Sequence, residues 1–131
     1  MDKNEIHKLQ AFMRRSFGNE GVRVAVDPRD IEKAELQLGE RKLGSISVDD
    51  EDGDRSFSLD MKVPVGRAVL QEYLQKLFDN PKLKIHGRLK KNDSVELNNG
   101  DDFLGIVSAD DPQGATYTLQ MAVLDFDLDE V

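Results

Sequence analysis

The sequence predicts an α+β protein made of two tandem α-β-β-β-β repeats, and three observations lead to this fold class. The segment Leu9–Asn19 recurs 61 positions later as Leu70–Asn80, and positions 9 to 50 show 12 identities in 42 aligned residues without a gap. Each copy begins with apolar residues at helical spacing and continues with apolar residues at every second position. A unit of about 60 residues buries little apolar surface alone, so two units gain by sharing one core. We therefore expect one compact pseudo-twofold unit, with the first repeat at residues 1–65 and the second repeat at residues 66–131.

Each repeat is predicted to open with a helix that packs one apolar face against a sheet. In the first helix this face consists of Ile6, Leu9, Phe12, Met13 and Phe17. Asp2 or Asn4 can cap its start, and Gly18 suits its end. The second helix has a wider apolar face, which consists of Val69, Leu70, Tyr73, Leu74, Leu77 and Phe78. Pro81 limits this helix, because the residue before a proline avoids helical dihedral angles.

Four strands are predicted to follow each helix as an antiparallel meander. The first strands, at residues 22–26 and 83–86, alternate apolar and polar residues. The next two strands form a hairpin in each repeat. In the second repeat the hairpin turns at Asn99-Gly100, a pair typical of the type I′ turn, in which both central residues have positive φ.

Glycines and acidic residues distinguish the remaining strands. Gly44 and Gly105 fall inside the returning strands of the hairpins, where a glycine usually marks a bulge or a close backbone approach. The last strand is predicted at residues 56–63 in the first repeat and at the longer range 115–128 in the second. Acidic residues on one face of this longer strand discourage edge-to-edge association.

Composition and charge favour a soluble cytoplasmic protein. The net charge is −8 and 34% of the residues are charged, which argues against a general nucleic-acid binder. The absence of cysteine excludes disulfides and thiolate metal sites. No apolar stretch is long enough to span a membrane, and the N-terminus lacks a targeting signal. We expect a cytoplasmic monomer without a membrane partner.

The sequence contains no recognisable motif for catalysis, a metal or a cofactor. The acidic segment Asp49–Asp54 suggests a calcium loop at first sight. Aligning Gly53 with the glycine of an EF-hand loop, however, places Val48 and Leu59 at positions that require oxygen ligands. The two histidines occupy unrelated positions in the repeats, and no catalytic triad can be read from the sequence. We therefore expect no catalytic residue, no metal site and no cofactor.

A run of basic residues in the second repeat is the strongest candidate for a binding site. This basic row consists of Lys82, Lys84, His86, Arg88 and Lys90, which alternate with Leu83, Ile85 and Leu89. On a regular strand the five would form one exposed face that can bind an anion or an acidic segment of a partner. The alternative is charge pairing within the fold, for which Asp93, Glu96, Asp101 and Asp102 are available. No parallel row of aromatic residues exists to stack bases, which disfavours single-stranded nucleic acid.

Several segments resemble a short alphaproteobacterial family of unknown function. In the second repeat they are Lys90–Leu97, Gly100–Gly105 and Gln120–Leu128, and in the first repeat Lys8–Gln10, Arg14-Arg15, Phe17–Asn19 and Asp50–Ser56. The first repeat departs from the family where Met61–Pro64 ends its last strand. The resemblance covers nearly the whole chain as two copies, whereas members of the family are usually single units. It implies no activity, cofactor or catalytic residue.

The function that these features favour is non-catalytic binding of a protein partner, as an adapter module. This prediction depends on the missing catalytic motifs, the small duplicated scaffold and the different charges of the two copies. Two alternatives remain open. A small acidic chaperone-like protein would need an exposed apolar groove or a dimer interface. An enzyme without a recognisable motif would need a pocket in which groups with shifted pKa values converge.

Overall fold

The computed structural model describes residues 1–50, 54–89 and 91–130, and each repeat consists of a helix followed by four antiparallel strands. The elements of the first repeat are α1 (Lys3–Phe17), β1 (Val22–Asp27), β2 (Asp30–Leu38), β3 (Arg41–Asp49) and β4 (Ser56–Val63). Those of the second repeat are α2 (Leu70–Leu77), β5 (Leu83–Arg88), β6 (Lys91–Asn99), β7 (Asp102–Ala109) and β8 (Tyr117–Leu124). Short 3-10 helices lie before α2, at Arg67–Val69, and after β8, at Asp125–Glu130. The predicted fold class is confirmed.

All eight strands form one open sheet, in which the two repeats meet through their last strands. The strand order is β1-β2-β3-β4-β8-β7-β6-β5, so that β4 and β8 lie at the centre and β1 and β5 at the edges. Asp60 lies opposite Gln120, its equivalent in the other repeat, and Leu59 pairs crosswise with Met121. Gln120 Nε2 donates a hydrogen bond to Asp60 Oδ1 at 3.2 Å. The pseudo-twofold axis therefore passes through this pair.

One face of the sheet carries the core and both helices. Leu9 and Met13 of α1 join Leu70 and Leu74 of α2 in a single buried cluster that includes the inward residues of all eight strands. The opposite face, which we call the outer face, carries polar and small side chains such as Ser58 on β4. A core that continues across both repeats stabilises each of them more than a unit of this size could achieve alone.

Each helix also covers the edge strand of its own repeat. The Oε1 atom of Gln10 in α1 accepts a hydrogen bond from the backbone N–H of Val24 in β1 at 3.1 Å. Its equivalent, Gln71 in α2, accepts one from Ile85 in β5 at 3.0 Å. One turn further along each helix, a second side chain donates to a carbonyl of the same strand. Edge strands normally expose such groups to other chains, so the helices protect both edges of the sheet.

The C-terminal ends of α1 and α2 meet at the pseudo-twofold axis. The rings of Phe17 and Phe78 stack with their centroids 4.2 Å apart and their planes at 7°. Asn19 Nδ2 donates to the Phe78 carbonyl at 2.7 Å, and Asn80 Nδ2 donates to the Phe17 carbonyl at 2.9 Å. Carbonyls at the end of a helix lack intrahelical hydrogen-bond donors, so the asparagine of each repeat supplies the missing donor to a carbonyl of the other repeat.

Gly44 and Gly105 lie at bulges, as the sequence predicts. The register of the β2–β3 ladder and that of the β6–β7 ladder both shift beside these glycines. A Cβ atom at Gly44 would lie 2.4 Å from the carbonyl oxygen of Asp60, and one at Gly105 would lie 2.4 Å from that of Gln120. Both positions therefore require glycine, because the backbone of the neighbouring strand passes too close for a side chain.

The segment after β8 is a 3-10 helix, so the prediction that the last strand continues to residue 128 was wrong. Asp127 Oδ2 accepts a hydrogen bond from the backbone N–H of Leu124 at 3.0 Å, which turns the chain at the end of β8. In an extended strand Leu128 would share a face with Leu124, which is exposed. Leu128 is instead buried in the core, and only a turn can bring it there.

Two smaller predictions were also wrong. Asn99 stays paired with Asp102, so the loop of the β6–β7 hairpin consists of Gly100 and Asp101. Only Gly100 has a positive φ, of 60°, which is the pattern of a type II′ turn rather than type I′. Val69, predicted on the apolar face of the second helix, lies in the preceding 3-10 turn and is 47% exposed.

Candidate functional site

The basic row lies on and beside β5, at one edge of the sheet. Lys82 precedes the strand, and Lys84 and His86 are exposed on it. In the ladder with β6, His86 lies opposite Glu96, on the outer face. Lys90 lies outside the described residues. The structure thus brings three of the five predicted residues together on one exposed surface.

Arg88 follows a break in the strand that the sequence analysis did not predict, although Gly87 at the break is a residue type that often marks a bulge. The β5–β6 register shifts immediately before Arg88, and Leu89, predicted to alternate with the row, is 90% exposed. Arg88 Nη1 donates a hydrogen bond to Ser94 Oγ at 3.0 Å. Ser94 shares a face of β6 with Glu96, since residues two apart on a strand point the same way. Arg88 therefore stays on the outer face, but it is half-buried and hydrogen-bonded.

The acidic residues that the sequence offers as partners do not neutralise the basic row. Within the described part of the chain, no salt bridge joins Lys82, Lys84 or Arg88 to a carboxylate. Asp102 pairs with Asn99 in the β6–β7 ladder. The row therefore presents positive charge to solvent on a protein whose net charge is −8.

A groove that the sequence analysis missed opens between α1 and β7. Two adjoining cavities of about 410 and 430 Å³ share Phe12 and Ser16 of α1 and Phe103 and Leu104 of β7. The first cavity extends to Gly105, Ile106, Gln120, Met121, Ala122 and Asp127. Phe103 is 57% exposed. We call this feature the aromatic groove. Its one signal in the sequence was Phe103, which occupies the position that Lys42 holds in the first repeat.

Beside the aromatic groove the β7–β8 ladder ends one residue earlier than its equivalent in the first repeat, although Gly105 still lies close to the Gln120 carbonyl. The β7–β8 ladder begins at Ile106 opposite Gln120. In the first repeat the equivalent β3–β4 ladder extends one residue further, to Gly44 opposite Met61. The start of β7 is thus unpaired on its β8 side, and the aromatic groove lies beside it.

The acidic segment that suggested a calcium loop takes part in an ion-pair network. Residues 51–53 lie outside the described residues. The guanidinium of Arg55 lies 2.6 Å from a carboxylate oxygen of Glu5 and 2.9 Å from one of Asp50. The hydrogen bond from Arg55 lowers the pKa of Glu5 below its ordinary value. No group of three or more potential metal ligands occurs in the part of the chain that is described.

A second ion pair joins the repeats at the surface. Lys62 of β4 forms a salt bridge with Asp110, which follows β7. The same carboxylate accepts hydrogen bonds from Thr116 Oγ1 at 2.7 Å and Thr118 Oγ1 at 2.6 Å. The hydrogen bond from Lys62, followed by those of the two threonines, lowers the pKa of Asp110 to about 2. This carboxylate is therefore ionised at neutral pH and holds a structural contact.

Comparison with known protein families agrees with the duplicated fold. A family model described as "Protein of unknown function (DUF3126)" matches residues 5–64 and again residues 68–127. The chain belongs to this family. The first match begins within α1 and the second just before α2, and each ends shortly after a last strand, so this family member contains two tandem copies of the domain. No curated protein and no solved structure matches the chain. Among the described residues, no helix has both the length and the apolar character needed to cross a bilayer.

Proposed function

We propose that this family member is a non-catalytic cytoplasmic adapter that binds an acidic segment of a partner protein on the outer face of its second repeat. The observation that supports the proposal is the basic row on and beside β5, where Lys82 and Lys84 have no carboxylate partner among the described residues. On an acidic protein, a local positive surface steers and orients an anionic partner.

The comparison of the two repeats supports a specific role for this surface. At the positions of Lys84, His86 and Arg88, the first repeat carries Arg23, Ala25 and Asp27. Both strands lie at an edge of the sheet and both are covered by a helix, so the fold places similar demands on them. Three basic residues in one copy are therefore more than the fold requires.

The carboxyl groups whose pKa values are lowered form ion pairs within the fold. The carboxyl groups of Glu5, Glu72 and Asp110 all have lowered pKa values, in each case chiefly because a basic side chain hydrogen-bonds to them. A lowered pKa keeps a carboxylate charged and suits an ion pair. General acid–base catalysis near neutral pH needs the opposite shift, toward the operating pH.

Charge reversal within the basic row tests the proposal. Immobilised wild-type protein is expected to retain a stoichiometric partner from native cell extract and to release it as salt rises, since charges are screened over about 8 Å at physiological ionic strength. The double variant Lys82→Glu/Lys84→Glu should lose this partner. Its free energy of unfolding should change by less than about 0.5 kcal/mol, because both side chains are exposed and unpaired. Arg88 is left unchanged, because reversal would break its bond to the buried Ser94.

A matched control separates a local site from a general charge effect. Arg23→Glu/Lys33→Glu makes the same change in net charge on exposed positions of the first repeat. This control should retain the partner. Equal loss in both double variants, or no stoichiometric partner with the wild-type protein, would contradict the proposal.

The aromatic groove favours a second candidate function, that of a chaperone-like protein that holds unfolded chains. Such a protein needs an exposed apolar surface, and Phe103 provides one. The two functions differ in selectivity. A chaperone-like protein would suppress aggregation of several unrelated unfolded proteins at stoichiometric amounts, whereas an adapter would leave their aggregation unchanged.

A further inference from the structure

We propose that the aromatic groove determines which partner is bound, by accepting an aromatic side chain from an extended segment that places a carboxylate about three positions away, at Lys84. This inference rests on the proposed function and names the chemistry of the partner. Its support comes from the way in which the two repeats differ at equivalent positions.

In the first repeat the equivalent of the aromatic groove is bridged. There Arg41 Nη2 donates a hydrogen bond to the hydroxyl of Tyr73 at 2.9 Å, across the space between α2 and the β2–β3 hairpin. At the aromatic groove the equivalent residues are Asp102 of the second repeat and Phe12 of the first, which cannot form such a bond. The bond that spans the counterpart therefore has no equivalent between these two residues, and Arg15 and Asp102 line the cavity beside Phe12.

The outer face beside the groove is also apolar in the second repeat alone. Phe103, Ile106 and Ala122 stand at the positions of Lys42, Ser45 and Lys62. In the first repeat these lysines form salt bridges with carboxylates, that of Lys42 with Glu35 at 3.5 Å. The fold thus accommodates polar residues at these positions. Together the three apolar residues line one cavity, and a contiguous apolar patch of this kind indicates a contact surface where a single exposed residue would not.

The groove and the basic row lie on one line across the sheet. Lys84 lies opposite Asn98 in the β5–β6 ladder, and Asn98 lies opposite Phe103 in the β6–β7 ladder. Adjacent strands are about 4.8 Å apart, so Lys84 and Phe103 are separated by about 10 Å. An extended peptide rises about 3.3 Å per residue, and three residues span this distance.

Asn98, in the middle of this line, has a polar atom without a partner. Its Oδ1 atom is buried and accepts no hydrogen bond. Buried polar atoms normally find a partner. Because this oxygen is buried, a peptide on the outer face would not reach it, and the proposed contacts on this line are those of Lys84 and Phe103.

The chemistry of the lining favours an aromatic side chain in the groove. Phe12 and Phe103 provide ring surfaces, and Leu104 and Met121 provide aliphatic ones. Two aromatic rings attract a third ring more strongly than its buried area alone would suggest. The charge that accompanies the ring follows from Lys82 and Lys84, which attract carboxylates and repel basic segments.

Titration with defined peptides tests the inference. The probe is a nine-residue peptide of serine and glycine that contains one glutamate and one phenylalanine three positions apart, added to the ¹⁵N-labelled full chain. We expect amide shifts in residues 12–16, 82–88 and 102–106. Replacing the phenylalanine of the peptide by alanine, or its glutamate by glutamine, should weaken binding about tenfold in each case.

Variants of the protein provide the matched comparison. Phe103→Lys introduces the residue that the first repeat carries at this position, and it should weaken peptide binding about tenfold. Ile31→Lys changes an exposed apolar residue of the first repeat in the same way and should leave binding unchanged. Phe103→Ala serves as a second variant if the melting temperature of Phe103→Lys falls. Equal binding by Phe103→Lys and wild type, or amide shifts confined to the basic row, would overturn the inference.

Failure of this inference can be told apart from failure of the proposed function. If Phe103→Lys retains the partner from cell extract while Lys82→Glu/Lys84→Glu loses it, the adapter function stands and the groove has no part in it. A second copy of this chain is the other possible occupant, since Phe126 is 62% exposed and flanked by aspartates. Concentration-dependent association of the wild-type protein that Phe103→Lys abolishes would assign the groove to that copy and overturn the inference.

Discussion

Asp110 is a side chain that couples the surfaces of the two repeats. It lies after β7 in the second repeat and forms its salt bridge with Lys62 in the first, while Thr116 and Thr118 hold the carboxylate in place. Its pKa is lowered from 3.8 to about 2. A carboxyl group whose pKa is lower in the folded than in the unfolded state stabilises the fold above the unfolded pKa, and the contribution is lost as pH falls through the folded pKa.

The variant Asp110→Asn is therefore expected to melt at a lower temperature than the wild type at pH 7. The difference should shrink between pH 3.8 and pH 2, where the wild-type carboxylate takes up its proton. Thermal unfolding followed by circular dichroism at several pH values measures both effects. Asp101→Asn, on an exposed loop residue, is the control and should show neither. Equal melting temperatures of Asp110→Asn and wild type at pH 7 would assign no stabilising role to the contact.

At the scale of secondary structure, the helices combine two tasks. Their apolar faces fill the core, and one glutamine on each helix accepts a hydrogen bond from the edge strand. The two glutamines, Gln10 and Gln71, are identical in the repeat. This contact also sets the position of β5, the strand that carries the basic row, relative to α2.

Substitution of Gln71 tests the protection of the edge. Gln71→Leu removes the acceptor for the Ile85 N–H and should lower the free energy of unfolding by about 1 kcal/mol. Hydrogen exchange at the Ile85 amide should become faster, because that N–H then faces solvent without a partner. Gln71→Glu keeps an acceptor oxygen and should preserve the protection. Slow exchange at Ile85 in Gln71→Leu would show that another group protects the edge.

At the scale of the whole molecule, the chain has the geometry of a dimer whose two halves are covalently joined. The β4–β8 ladder is symmetric about the Asp60–Gln120 pair. At the helix ends, an asparagine of each repeat donates a hydrogen bond to a backbone carbonyl of the other repeat. The two residues on the axis are not identical. An amide can pair with its own copy across a twofold axis, whereas two carboxylates repel each other.

Separate halves should therefore associate to different extents. The fragment 66–131 is expected to dimerise through β8 with Gln120 opposite its own copy. The fragment 1–65 should dimerise more weakly, by up to about 1 kcal/mol or about fivefold in dissociation constant, because Asp60 faces Asp60. Asp60→Gln in this fragment should remove the part of the difference in dissociation constant that comes from repulsion between the two Asp60 carboxylates. Sedimentation equilibrium measures the dissociation constants, and an Asp60→Gln fragment that dimerises no better than its parent would contradict the symmetry argument.

Much of the fold was accessible from the sequence because it depends on near neighbours along the chain. Helical and strand periodicity located α1 and the first strands, and the repeated glycines located the bulges, since these features are determined within a few residues. The candidate site was predicted only in part. Alternation along β5 identified Lys84 and His86. The register shift before Arg88 has a local signal in Gly87, since a glycine inside a strand often marks a bulge, but the new register depends on β6.

What the sequence by itself determined is the duplication, the order of the elements and the alternation that separates core from surface. The tertiary structure alone decided that β4 pairs with β8 and that a groove opens beside Phe12. It also decided that Asn19 and Asn80 each donate a hydrogen bond to a backbone carbonyl of the other repeat. These features join residues that lie about 60 or more positions apart in the chain. No local pattern encodes such contacts, because they form where the two repeats pack against each other. Small differences between these two packing surfaces take effect only at that interface.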